Sequence, residues 1–381
     1  MKDDTSMFAW HRFLAIMTKE FVQMRRDRLT FAMMIGVPVM QLVLFGFAIN
    51  MDPKGLPAAV VSAESSVFSR TLVRALENTG YFRVHALPAS LAEADRLLAR
   101  GEVQFVLHVP ADFSRRLQRG ESAPVLMEAD ATDPAATSNA LAALQQVSLT
   151  ALDRDLVGPL SRERVASPAI ELRVHRRYNP EGITQYNIVP GLMGVVLTMT
   201  MVMMTSLAMT RERERGTMEN LLATPVRPLE VMIGKIVPYI AIGYVQVLVI
   251  LAAAAFVFEV PMVGSLALLS AVLVLFIAAS LAIGFTFSTL ARSQMQAMQM
   301  TMFFFLPSML LSGFMFPFRG MPGWAQALGE ALPLTHFLRV VRSILLKGGG
   351  AADILPHVWP LALILVVVST VALKRYRRTL D

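Results

Sequence analysis

The chain runs to 381 residues, 55% of them hydrophobic and only 17% charged, with a net charge of +7 and no cysteine. Soluble domains carry about a quarter charged residues, so this composition points to a lipid bilayer. The missing thiols exclude disulfides, thiolate metal sites and cysteine nucleophiles, and the basic excess sits in short segments beside apolar runs rather than in a nucleic-acid footprint.

In chain order, residues 1–28 place Trp10, Phe13, Leu14, Met17, Phe21 and Met24 at helical spacing, with Arg12, Lys19, Glu20 and Arg25 between them. That is the pattern of an amphipathic helix lying in the inner membrane interface, although a soluble helix packed on a partner fits the same spacing. Six long apolar runs follow, at 29–50, 183–209, 233–258, 260–291, 293–318 and 354–373. About twenty residues at 1.5 Å each cross the roughly 30 Å hydrocarbon layer, so every run is predicted to span. No small-residue cleavage site follows the first run, which reads as an uncleaved anchor.

Between the first and second spans, 51–182 changes texture. Short β-branched runs at 56–64, 81–87, 103–110, 124–130 and 169–178 alternate with helical patterns at 67–79, 90–100, 111–119 and 135–156. Ser90 followed by Glu93 fits a capping box. The alternation predicts a compact α/β domain with a small, largely parallel sheet. Placing the basic segments 1–28, 210–235 and 374–381 in the cytoplasm puts this domain outside it and both termini within. The predicted fold is therefore an α-helical polytopic membrane protein with six transmembrane helices and an inserted extracytoplasmic α/β domain.

The other outer segment, 319–353, is too short to span. It carries Trp324 and then Phe337, Val340, Val341, Ile344 and Leu345 on one helical face. A re-entrant or interfacial hairpin is predicted, with Arg339 and Arg342 reaching toward head groups. Residues 374–381 make a basic tail.

The chemistry missing from this sequence narrows its function. There is no G-x-x-x-x-G-K-[ST] loop; Gly234-Lys235 is followed by Ile236 and preceded by no glycine-rich turn, so the chain lacks that device for ATP phosphates. The histidines are scattered singly, without metal-ligand spacing, and no metal site is expected. The spans carry none of the mid-membrane carboxylates that ion-coupled pumps use. An energised process would need its driving force from outside the chain. Methionine fills the second and fifth spans instead, and it suits surfaces that accept many apolar shapes. Met199, Met203, Thr198 and Met302 are candidates for lining a path for a hydrophobic or amphiphilic solute. Plain helix packing with small polar glue explains the same residues.

The segment 210–232 sets eight charged residues between long apolar runs. Arg211, Glu212, Arg213, Glu214 and Arg215 keep the end of the second span wet and offer i,i+3 and i,i+4 pairs. Gly216 permits a turn, Thr217 can cap a following helix, and Glu219 falls in its first turn, where the dipole favours a carboxylate. Met218, Leu221 and Leu222 share one face of this short helix, which Pro225 closes before Pro228 and Glu230 restart a helix. An apolar knob ringed by charge suits a groove on a partner protein; a capped connector suits the same residues.

The stretch RERERGTMENLLATPVRPLEVMIGKIVPY resembles the signature segment of ABC-2-type exporter permeases, and ARSQMQAMQ at 291–299 is similar to that family's second inner loop. The resemblance covers nearly the whole chain, with Arg211–Lys235 its specific part; the extra Arg213 and Arg215 depart from the pattern. It implies that Glu212, Glu214, Gly216, Thr217, Met218, Glu219, Leu221, Leu222, Pro225, Glu230, Gly234 and Lys235 form a coupling segment on a cytoplasmic ABC ATPase subunit. It further implies that ATP and Mg are bound by that subunit and no cofactor by this chain. A second permease chain and a periplasmic adaptor are the other implied partners, and drug-like or lipid-like compounds the implied cargo; membrane lipids are partners expected from the basic segments themselves. A membrane-anchored sensor or scaffold with an outer ligand-binding domain is the alternative that the sequence leaves open.

Overall fold

The computed structural model describes residues 44, 52–156, 168–214 and 228–378, with backbone alone at 213, 228–237 and 376–378. The expected interfacial helix at 1–28, the first span apart from Leu44, and residues 215–227 and 379–381 lie outside the described residues.

Five strands form where β-branched alternation expects them: β1 (Leu56–Ser62), β2 (Phe82–Ala86), β3 (Phe105–Val109), β4 (Ala123–Asp130) and β5 (Ile170–Arg177). Helices α1 (Val67–Asn78), α2 (Leu91–Ala99), α3 (Phe113–Gln118) and α4 (Pro134–Thr150) connect the first four and follow the fourth. The sheet order is β2-β1-β3-β4-β5. Three pairings are parallel and β3–β4 is antiparallel. The six-residue α3 is about 9 Å long, too short to carry the chain back along the roughly 16 Å of β3, so β4 runs the other way. Strand alternation sends Leu56, Ala58, Phe105, Leu107 and Met127 to a core under α1 and α4, and Ala59 and Val106 to a second core against Ala94 and Leu98 of α2.

Two local features differ from the sequence reading. The reciprocal capping box lies at α1, where Ser66 and Ser69 exchange bonds. At α2, Ser90 accepts from the Glu93 backbone N–H, but Glu93 accepts from Ala89, one residue before the cap. Just past β1, the Glu64 carboxylate accepts from Ser66 Oγ (2.7 Å), Ser114 N (3.1 Å) and Ser114 Oγ (2.5 Å), joining the starts of α1 and α3.

Beyond α2, the second sheet face carries Glu128, which meets His108 Nε2 (2.9 Å), His175 Nδ1 (3.4 Å) and Arg177 Nη1 (3.2 Å). Burial raises the Glu128 pKa, but the His108 bond and the Arg177 charge outweigh it and hold the carboxyl below its ordinary range.

The helical part comprises α5 (Thr184–Glu214), α6 (Pro228–Phe256), α7 (Leu266–Leu290), α8 (Gln294–Leu311), α9 (Gly323–Glu330), α10 (Pro333–Lys347) and α11 (Ala351–Arg378). Among the described residues, four helices are long and apolar enough to cross a membrane: α5, α6, α7 and α11. The expected fifth span, 293–318, is shorter as a helix. Gln294, Gln296 and Gln299 make its first turns polar, and it stops at Leu311, just before Gly313 takes a left-handed φ of 84°.

Burial separates the spans into two classes. In α5 and α7, 61% and 56% of the apolar window is buried within the protein, against 17% in α6 and 11% in α11. Close approach of the central pair depends on Gly284, where a Cβ would stand 2.5 Å from the Val202 carbonyl oxygen. Phe276 of α7 stacks on Phe337 of α10 with centroids 4.1 Å apart. Leu44 is buried against Leu310, Leu311, Met321 and Ala325.

The segment 319–353 is a helical hairpin, but α10 is buried on nearly every side. Its two arginines do not reach outward as the sequence suggested. Arg339 forms a two-pronged pair with Glu330 (2.6 and 3.1 Å) and stands over Phe318, while half-buried Arg342 donates to the Gly313 carbonyl at 3.1 Å. Their amphipathic spacing fits protein packing as well as it fits an interface, and the neighbouring helices decide. The Val263 N–H donates to the Leu345 carbonyl (3.0 Å), tying the loop before α7 to the last turn of α10.

Two outcomes follow from this packing. Gly284→Leu should destabilise the α5–α7 pair by about 1–3 kcal/mol or more, read as a lowered midpoint in thermal-challenge size-exclusion chromatography. The depressed Glu128 contributes stability above its unfolded pKa that is lost as pH falls through its folded pKa. Glu128→Gln should therefore flatten the acid limb of domain stability followed by limited proteolysis.

Candidate coupling site

Helix α5 joins the two polar ends of the molecule. Its first turn follows β5 and the α/β domain; its last turn leads into the charged segment. The sheet and that segment therefore stand at opposite ends of a helix of 31 residues, about 46 Å long.

At the charged end, Glu214 of α5 grips Gln294, the first residue of α8. Glu214 Oε1 accepts from the Gln294 backbone N–H at 2.8 Å, and Oε2 accepts from Nε2 at 2.5 Å. Arg211, one turn earlier, donates through Nε to Gln294 Oε1 at 3.4 Å. Ser293 caps the same helix by accepting from the Gln296 N–H, and Gln296 Oε1 accepts from the Arg292 N–H at 2.8 Å. A carboxylate at a helix N-terminus meets unpaired amides and the positive end of the dipole. The side-chain and backbone bonds from Gln294 hold the Glu214 pKa below its ordinary value. The site is acceptor-rich, closed by hydrogen bonds and free of metal-ligand clusters among the described residues.

The predicted coupling residues divide by position. Glu212, half-buried, and Glu214 lie in the last turn of α5. Glu230, Gly234 and Lys235 lie in the first turns of α6, which Pro228 opens. Gly216, Thr217, Met218, Glu219, Leu221, Leu222 and Pro225 lie outside the described residues. Gln294 was legible only as part of the second inner loop; its link to Glu214 spans 80 positions, and no local spacing signals it.

Of the residues suggested for a solute path, Thr198 is fully buried and spends its hydroxyl on the Gly194 carbonyl (2.8 Å). Met199 and Met203, one turn apart on α5, are half-buried, as is Met302 on α8. Helices α5 and α8 pack against each other. More exposed methionines, Met295 and Met298, continue the soft surface toward the start of α8.

Residues 28–374 match the family described as "ABC-2 family transporter protein". In Escherichia coli (strain K12), "Probable multidrug ABC transporter permease YbhR" is 28% identical over 369 residues, covering 97% of this chain and 99% of its own. "Probable multidrug ABC transporter permease YbhS" of the same strain is 27% identical over 345 residues, 90% of each chain. "Inner membrane transport permease YhhJ", also from that strain, is 28% identical over 370 residues, 90% of this chain and 93% of its own. A multi-pass helical membrane protein with an inserted α/β sheet domain, matched from residue 28 to residue 374, the chain belongs to the ABC-2 family of transporter permeases.

Proposed function

We propose that this chain is the membrane subunit of an exporter that moves hydrophobic or amphiphilic compounds, drug-like or lipid-like, out across the inner membrane. A separate cytoplasmic ATPase binds ATP and Mg and supplies the work. The carrying observation is the arrangement around α5, whose charged end continues into the 210–232 segment and is held to the start of α8 through Glu214 and Gln294. A push on the segment would reach α5 and α8 at once. The absence of a phosphate-binding loop from the sequence fits an engine on another chain.

In this reading 217–224 forms a coupling helix whose Met218, Leu221 and Leu222 enter a groove on the ATPase. Glu212, Gly216, Thr217, Glu219 and Pro225 shape it, and Glu230, Gly234 and Lys235 carry its motion into α6. The basic end of the bundle and both termini face the cytoplasm, and the α/β domain lies outside, open to a periplasmic adaptor. A second permease chain, identical or paralogous, completes the path along Met199, Met203 and Met302. The names of two bacterial relatives, each called a "Probable multidrug ABC transporter permease", support the drug-like part of this cargo class.

Replacing Leu221 and Leu222 together with Asp should abolish co-purification of the ATPase and stop efflux; unchanged association would overturn the coupling reading. Glu214→Ala should leave the ATPase bound but loosen the first turn of α8. The readouts are faster amide hydrogen exchange at 294–297 and a fall in transport per ATP hydrolysed.

A further inference from the structure

We propose that Asp130 and Lys347 are positioning residues that lock the α/β domain to α10, so that the domain, the α9–α10 hairpin and the start of α5 move as one body. Lys347 is the last residue of α10. Its Nζ lies 2.5 Å from Asp130 Oδ2, donates to the Leu98 carbonyl at 3.3 Å, and stands 5.1 Å from the centre of the Tyr178 ring. Only 9% and 7% of the Lys347 and Asp130 side chains are exposed. The other Asp130 oxygen accepts from the Thr132 N–H and hydroxyl, so the carboxylate is fixed before the lysine arrives.

Neighbouring contacts bind the same surfaces. Asp133, the cap of α4, accepts from Asn187 in the first turn of α5 at 3.4 Å. Arg319 donates to the Gly101 carbonyl at 2.7 Å, and Arg100 pairs with Asp353 in the first turn of α11 at 3.4 Å. Removing either partner while the junction stays closed would leave the other charge buried and unpaired, which is strongly unfavourable. A domain held only by its two linkers would swing, because relative motion is the default for a small polar interface. Here the charge pair and the bonds to backbone carbonyls at 98 and 101 remove that freedom. No spacing in the sequence joins residues 130 and 347, which lie 217 positions apart.

The natural absence of cysteine makes the test direct. Leu149→Cys on α4 and Leu328→Cys on α9 are exposed by 57% and 54% and can carry spin labels on the full chain in lipid nanodiscs. Pulsed EPR on that chain should give one narrow distance distribution. Lys347→Met should broaden it roughly twofold, as expected for a domain released onto its linkers, whereas Lys347→Arg should keep it narrow. Labelled chain assembled with its ATPase should give the same distance nucleotide-free and trapped with ATP. A Met variant as narrow as wild type, or a wild-type distance that shifts by more than one helical turn on trapping, would overturn the proposal. The trapped-state arm rests on the ATPase reading and the isolated-chain arm does not, so loss of ATPase association is distinguishable from failure of the junction. The wild-type comparison also stands if the Met variant does not fold.

Discussion

A chain crossing a bilayer must satisfy its backbone polar groups within each crossing segment, because the hydrocarbon offers no partners. Helix α5 obeys this over 31 residues and is also the most buried of the candidate spans. Its contact with α7 is set by the Gly284 gap, and α10 packs beside its first turns through Phe337 and Leu334 against Gly194. The other spans arrange around that centre. Since α5 is helical throughout, displacement at either end has little slack in which to be lost, although Pro190 removes one of its internal bonds near the end that follows the sheet.

Much of this was readable from the order of residues. The five strands and four helices of the inserted domain coincide with the predicted runs to within a few residues, because alternation of period two and turn residues such as Gly80, Gly101 and Gly120 are local signals. The spans at α5, α6, α7 and α11 follow from length and apolarity alone. The run at 293–318 misled in length, because counting formal charges overlooks three glutamines and the left-handed turn at Gly313.

What escaped the sequence is pairing across distance. Gln294 looks like one more polar residue in a short loop until Glu214 reaches it from another helix. Arg342 looks like a head-group anchor until α10 is found inside the bundle, where its guanidinium meets the Gly313 carbonyl. Burial of a charged group is a property of its neighbours, and a single amphipathic pattern is equally suited to lipid, water or protein on its polar side. The coupling role proposed for 216–225 rests on likeness to a family's signature segment, not on a contact between described residues.

The Glu64 cluster has a consequence for what the α/β domain can hold. Glu64 stands beyond the ends of the parallel pair β1 and β3, where a small anion would otherwise meet the first amides of α1 and α3. That berth already contains a tenant from the same polypeptide, a carboxylate tied down by two serines. An incoming phosphate or carboxylate would meet like charge where it would otherwise find free amides.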